Sequence, residues 1–265
     1  MTKNGSEFPQ LFVTDLDGTA LGGGYRPYAR FPDHYSEFLD RLHARGCRWA
    51  INTTWDVQGQ WGMVQVSSVR SRPAYFMAEL GMRIATLKGD ELEFVQPYTA
   101  DMEAMSDAIN REHLVPAMLD ICNRFPPATV GFYGHLCEMK PRKGLGDEVA
   151  AYLKEAYGNH PVLAVGGGAS GIGITPRMLN KSLHTKEVLR LSGISPDRVV
   201  VAGDSPGDLP MMTPDLCAHV VCPGDAQPQM KAHVQARGGA IGKAPCGMGV
   251  IQAFEEIAAR HGWEF

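Results

Sequence analysis

The stretch Leu11-Phe-Val-Thr-Asp-Leu-Asp-Gly-Thr-Ala20 constrains this chain more than any other. A short apolar run that breaks into a Gly-containing turn reads as a strand buried on both faces, the kind found in parallel sheets. It delivers Asp15 and Asp17 to its carboxyl end, and alternation along a strand places both on the same side. Two carboxylates about 4 Å apart repel by roughly 4 kcal/mol at an effective dielectric near 20, so the arrangement asks for a nearby cation. The pattern returns late in the chain, where a buried strand expected over 198–202 enters Gly203-Asp-Ser-Pro-Gly-Asp208. Buried strands that end in carboxylates bring their acids to one sheet edge, where open α/β sheets bind ligands.

Periodicity fills in the units between. Residues 32–42 read as a helix with Tyr35, Phe38, Leu39 and Leu42 on one face, closed by Gly46, and 47–51 as a second strand ending in Asn52-Thr-Thr54. Another strand is expected at 74–80, then a hairpin over 83–94 that turns at Lys88-Gly-Asp90. The segment 99–157 differs in character, with helical patterns at 101–123 and 146–157 around a strand at 129–133. Strands at 162–165 and 172–174 are joined by a glycine-rich turn, and a helix over 181–191 stops at Gly193. A short helix, a strand near 219–221 and an amphipathic helix over 249–259 complete the chain.

Composition narrows the function classes. At 265 residues and 44% hydrophobic content the chain is one large α/β unit or two modest domains with ample core. A formal net charge of −4 offers no electrostatic footprint for nucleic acid or an anionic membrane surface. The amino end lacks a signal-peptide pattern, and no apolar run approaches the ~20 residues that span a bilayer, so a cytoplasmic location is expected. Cys47, Cys122, Cys137, Cys217, Cys222 and Cys246 form no CxxC pair and have no histidine at zinc-ligand spacing, which reads as reduced structural thiols.

Four separated pieces share one theme: Asp15 and Asp17 in DLDGT, Thr53 after the second strand, Lys181 closing Ile174-Thr-Pro-Arg-Met-Leu-Asn-Lys181, and Asp204 with Asp208 in Gly203-Asp-Ser-Pro-Gly-Asp-Leu-Pro-Met-Met212. In order and context they resemble the haloacid dehalogenase superfamily of phosphotransferases. The α/β segment between the second and third motifs is similar to that of the type-IIB capped branch, which includes Cof-like sugar phosphatases and sucrose-phosphate phosphatases. The resemblance implies an α/β fold: a Rossmann-like parallel-sheet core from 1–97 and 175–265, with an inserted α/β cap over 98–174 that selects substrate.

It also implies a chemistry. Hydrolysis of a phosphate monoester is among the slowest uncatalysed reactions, with accelerations up to ~10²¹-fold, so an oriented nucleophile and charge neutralisation are both needed. Asp15 is the implied nucleophile, giving an aspartyl-phosphate, and Asp17 the implied general acid and base. Thr53 and the backbone N–H of Thr54 would hold phosphate oxygens, and Lys181 would balance the charge on Asp15 and the phosphoryl group. Mg²⁺ suits such hard oxygen donors, with Asp15, the carbonyl of Asp17 and Asp204 as expected ligands and Asp208 ligating directly or orienting a metal-bound water or Lys181.

Blander readings stand beside these. Thr53 could instead cap the following helix, Lys181 could be a solvated lysine at a helix start, and Asp208 could be a cap before Leu209-Pro210. The chain departs from the branch where Trp55 replaces the usual Gly-Arg after the second-motif threonine, giving either a platform for a sugar face or a packing residue. Asp225 likewise stands where the branch tends to have Asn-Ala. Within the cap, His135, Lys140, Arg142, Lys143 and the loop 166–171 are the candidates for contact with the leaving group. The expected ligand is a small phosphorylated metabolite, a sugar phosphate, rather than nucleic acid or membrane. A phosphosugar mutase and a noncatalytic phospho-ligand binding protein are the alternatives.

Overall fold

A computed structural model describes residues 7–22, 30–126, 129–168 and 171–265. The chain divides into two compact units, one built from Met1–Val95 with Lys181–Phe265 and the other from Gln96–Asn180. In the first unit, β1 (Leu11–Thr14) is buried along its whole length. After it, α1 (Asp33–Ala44) buries Tyr35, Phe38, Leu39 and Leu42, the face expected from their spacing, and Gly46 at φ +81° turns the chain into β2 (Arg48–Asn52). Asp56 caps α2 (Val57–Gln65) by accepting the N–H of Gly59 at 2.7 Å. Thr53 is therefore not that helix's cap. β3 (Tyr75–Ala78) continues the parallel sheet, and β4 (Arg83–Lys88) with β5 (Glu91–Phe94) adds an antiparallel edge.

The inserted unit begins with α3 (Tyr98–Ile109), which runs through a π turn at Asn110–Leu114 into α4 (Val115–Arg124). Then come β6 (Thr129–Phe132), β7 (Cys137–Lys140), α5 (Gly146–Tyr157), β8 (Leu163–Gly168) and β9 (Gly171–Pro176). The four strands form an antiparallel sheet in the order β6-β7-β9-β8. Its helices and strands share a core around Leu114, Ile121, Leu153, Leu163 and Ile174. β7 escapes the sequence pattern because only Cys137 and Met139 of its four residues are apolar and inward. The glycine-rich turn expected at 166–171 is mostly strand: Gly166 pairs with Gly173 and Gly168 with Gly171, while 169–170 lie outside the described residues. The unit extends to Asn180 rather than 174 because β9 pairs through Pro176, and Arg177 donates its N–H to Val162.

The chain re-enters the first unit with α6 (Lys181–Ser192), β10 (Val199–Ala202), β11 (His219–Cys222), α7 (Pro228–Ala236), β12 (Ala240–Ile241) and α8 (Cys246–His261). The strand order is β12-β11-β10-β1-β2-β3-β4-β5. β1 pairs in parallel with β10, Thr14 opposite Ala202, and with β2, Thr14 opposite Ile51. The order reverses at β1, and the strands end level there, so residues 15, 52–53 and 203–204 share the edge that such sheets use for ligands. Phe12 of β1, Phe38 of α1 and Phe254 of α8 meet edge to face with centroids 5.3 to 5.9 Å apart, fixing the helices behind that edge. No helix among the described residues is long and apolar enough to cross a membrane.

Asp40 ties the loop before β3 to α1. Its carboxylate accepts the N–H of Ser71 at 2.7 Å and that of Arg70 at 3.1 Å. Burial alone would raise its pKa, but the hydrogen bonds from Ser71 and Arg70 outweigh burial and hold it below the ordinary value. A lowered folded pKa contributes stability above the unfolded value and loses it as pH falls through the folded one. Asp40→Asn is expected to cost about 1–2 kcal/mol at neutral pH. The deficit should close as the wild type protonates below pH ~4, read from denaturant unfolding across pH.

Candidate active site

The edge at the switch point collects the motif residues of the first unit. Asp15 continues β1, its backbone N–H donating to Ala202 at 3.1 Å, and its side chain is buried. Lys181, the first residue of α6, reaches into the same place and donates from Nζ to Asp15 Oδ1 and Asp208 Oδ1, each at 2.6 Å. Lysine and both carboxylates are nearly inaccessible, so this is a desolvated ion triad rather than a solvated lysine at a helix start. Burial alone would lower the ammonium's pKa, but Asp15 and Asp208 hold it above its ordinary value, and Lys181 stays charged. Burial raises the Asp15 carboxyl, with Lys181 opposing and Asp208 reinforcing the rise.

Asp208 serves two partners. While Oδ1 accepts from Lys181, Oδ2 accepts the backbone N–H of Asp204 and of Ser205 at 3.1 Å and the Ser205 hydroxyl at 3.2 Å. It thus caps the short helical turn Pro206–Met211 and orients Lys181 at once. Gly203 makes this possible, since a Cβ there would stand 2.5 Å from the Cβ of Asp208. Asp204 lies across from Asp15, its Oδ1 accepting from Thr19 Oγ1 at 2.9 Å. Gly18, at φ +81°, admits it: a Cβ there would stand 2.6 Å from Asp204 Oδ2. Burial raises the Asp204 carboxyl as well, Thr19 opposing and Asp208 reinforcing.

Oxygens of Asp15, Asp204 and Asp208 lie within 4.8 Å of one another, a spacing a small cation can bridge. The three carboxylates face one ammonium, and every donor is a hard oxygen, so the set fits a divalent ion of the Mg²⁺ kind. The Asp17 side chain stands apart from this group and is exposed. Thr53 follows β2 on the same edge, buried, its N–H donating to Met77 at 3.1 Å, and its hydroxyl has no protein partner among the described residues. Thr54 beside it is exposed.

Other sequence candidates fall elsewhere. Trp55 is 5% exposed and its Nε1–H donates to Asp17 Oδ2 at 2.6 Å, so it offers no open ring face to a sugar. His135 is buried in the inserted unit, its Nδ1 3.0 Å from the Tyr133 carbonyl and its own carbonyl accepting from Thr175. Lys140, Arg142 and Lys143 are exposed on the inserted unit. Asp225 accepts the N–H of Cys246 at 2.9 Å.

Two supporting residues were not singled out from sequence. Thr19 was legible as the polar residue closing DLDGT. Asn52 was legible only as an amide at the end of a buried strand; its Nδ2 donates to the carbonyl of Lys181 at 2.9 Å and its Oδ1 lies 3.1 Å from His184 Nδ1. Burial, with the nearby Lys181 charge, lowers the pKa of His184 to about 3, so it remains neutral and adds no charge to the site.

Residues 137–239 match the family of haloacid dehalogenase-like hydrolases. Among solved structures, the sucrose-phosphatase of Synechocystis, in complex with sucrose and phosphate, aligns over 97% of this chain and 99% of its own at 17% identity, with a TM-score of 0.67. A Thermoplasma acidophilum protein aligns over 97% and 100% at 12% identity and TM-score 0.63. A haloacid dehalogenase-like hydrolase from Bacteroides thetaiotaomicron aligns over 85% and 92% at 15% identity and TM-score 0.59. At these identities the likeness is one of fold. No curated protein matches the sequence.

Removing one member of a buried ion group leaves the others uncompensated. Lys181→Met is expected to lower unfolding free energy by about 3–5 kcal/mol in chelator at neutral pH. A loss below ~0.5 kcal/mol, the usual range for surface substitutions, would show that Lys181 is solvated.

Proposed function

We propose that this haloacid dehalogenase-like hydrolase is a Mg²⁺-dependent phosphomonoesterase acting on a small phosphorylated metabolite, a sugar phosphate, through an aspartyl-phosphate. The observation that carries the reading is the pairing of unlike aspartates two residues apart: Asp15 buried against Lys181, and Asp17 exposed and held by Trp55. A nucleophile benefits from a desolvated, charge-balanced position, whereas a group that trades protons with a leaving oxygen and then with water must be reachable. The Synechocystis relative supports the substrate class, since it is a sucrose-phosphatase with sucrose and phosphate bound.

Asp15 would attack phosphorus, forming an acyl-phosphate bond as the bond to the leaving oxygen breaks, and Asp17 would donate a proton to that oxygen. Asp17 would then take a proton from the water that attacks the acyl phosphate, regenerating Asp15 and releasing inorganic phosphate. Thr53 Oγ1 and the Thr54 N–H would hold phosphoryl oxygens, and Lys181 would offset the charge on Asp15 and the phosphoryl group. Asp15, Asp204 and the Asp17 carbonyl would hold the ion; Asp208, its oxygens already engaged, would position Lys181 and Asp204. When bound, Mg²⁺ would supply charge neutralisation at the phosphoryl oxygens.

The division of labour is testable with an aryl phosphate. In Asp17→Asn, a good leaving group needs little protonation, so Asp15 is expected to be phosphorylated while water attack stalls. The expected result is a burst of aryl alcohol approaching one equivalent per site, with an acid-stable, hydroxylamine-sensitive phosphoryl group on the peptide containing Asp15. Both should be lost in Asp15→Asn, and in wild type with chelator. Steady wild-type turnover in Asp17→Asn, or label on serine or histidine, would refute the mechanism.

Substrate selection is assigned to the inserted unit Gln96–Asn180, an independent sheet-and-helix layer with its own core. Replacing it with a short loop is expected to keep some aryl phosphatase activity in a folded variant while abolishing preference across a panel of sugar phosphates. Unchanged preference would place recognition in the first unit.

A further inference from the structure

Trp55 is anchored from several directions at its backbone. Its carbonyl accepts from Gln60 Nε2 at 3.1 Å and from the N–H of Glu79 at 3.3 Å. Gln60 also bonds the Met77 carbonyl at 3.2 Å, and buried Glu79 pairs with Arg83 at 2.9 Å. The ring is packed into the core of the first unit, and its N–H is directed at the motif turn. Of the two partners in the 2.6 Å bond between Nε1 and Asp17 Oδ2, the indole is buried and fixed, and the aspartate is exposed. The constraint therefore runs from Trp55 to Asp17.

We infer that Trp55 is a positioning residue for proton transfer: its indole N–H, donated to Asp17 Oδ2, holds the rotamer from which Asp17 exchanges protons. An indole nitrogen donates and cannot accept, so Oδ2 is an acceptor in both halves of the reaction. A proton donor must sit within hydrogen-bond reach of the leaving oxygen, and misplacement by about 1 Å can cost ~100-fold, which makes a fixed rotamer valuable for an exposed side chain. The inference rests on the proposed role of Asp17 as acid and base. Of the two sequence readings of Trp55, a platform for a sugar face and a packing residue, its burial favours the second.

Trp55→Phe keeps an aromatic ring and removes the N–H. Steady-state kinetics on an alkyl and an activated aryl phosphate, for wild type, Trp55→Phe, Asp17→Asn and the double variant, test the inference. On the alkyl phosphate, whose leaving oxygen needs a proton, kcat is expected to fall about 10- to 100-fold in Trp55→Phe with KM changed less than ~2-fold. The initial burst rate on the aryl phosphate should change less than ~3-fold, and adding Trp55→Phe to Asp17→Asn should cause no further loss. Equal losses on both substrates, a change in KM alone, or a full additional loss in the double variant would overturn the inference. A wild-type-like Trp55→Phe beside a crippled Asp17→Asn overturns it alone. Wild-type turnover in Asp17→Asn overturns the acid-base reading and the inference with it.

Discussion

Everything at the sheet edge is organised around the ammonium of Lys181. Its two 2.6 Å bonds join residues 166 and 27 positions away in the chain, tying the end of β1 to the turn after β10 through the first residue of α6. Two buried carboxylates at that spacing repel strongly without a cation between them, and the lysine supplies it at the point where the chain returns from the inserted unit. The triad is therefore complete only when both halves of the discontinuous unit have come together. Asn52 reinforces it from β2 by bonding the Lys181 carbonyl, so three strands and a helix start are registered on one atom group.

Small residues let the acids crowd. Gly18 gives Asp204 room against the backbone of the first motif, and Gly203 does the same for Asp208. Side chains at either position would push the carboxylates apart and destroy the close oxygen set that suits a divalent ion. Asp17 obeys a different rule: it lies outside this group, exposed, and accepts a hydrogen bond from the indole of Trp55. Two aspartates separated by one leucine thus occupy environments as unlike as the roles proposed for them.

The sheet and its loaded edge were legible early, because apolar runs such as Leu11–Thr14 leave few options and their polar termini mark the ligand side. The helix over Gly146–Tyr157 and the strand over Thr129–Phe132 were also legible from periodicity, while β7 was too short and too polar to declare itself. At the site, the carboxylates and Lys181 were visible as chemistry. The burial of Trp55 and His135 was not legible, because an aromatic or imidazole ring looks the same in sequence whether it faces solvent or the core.

What the sequence determined by itself is which groups gather: strand ends are fixed by local hydrophobic pattern, and a parallel sheet must bring those ends to one side. Which oxygen meets which donor was decided only by tertiary structure. Asp208 accepts both Lys181 and its own turn, Thr19 holds Asp204, and Trp55 donates to Asp17. The reason is physical. Burial and hydrogen-bond direction depend on residues tens to more than a hundred positions apart, and a local pattern records the type of a side chain but not the partner it must satisfy once water is removed.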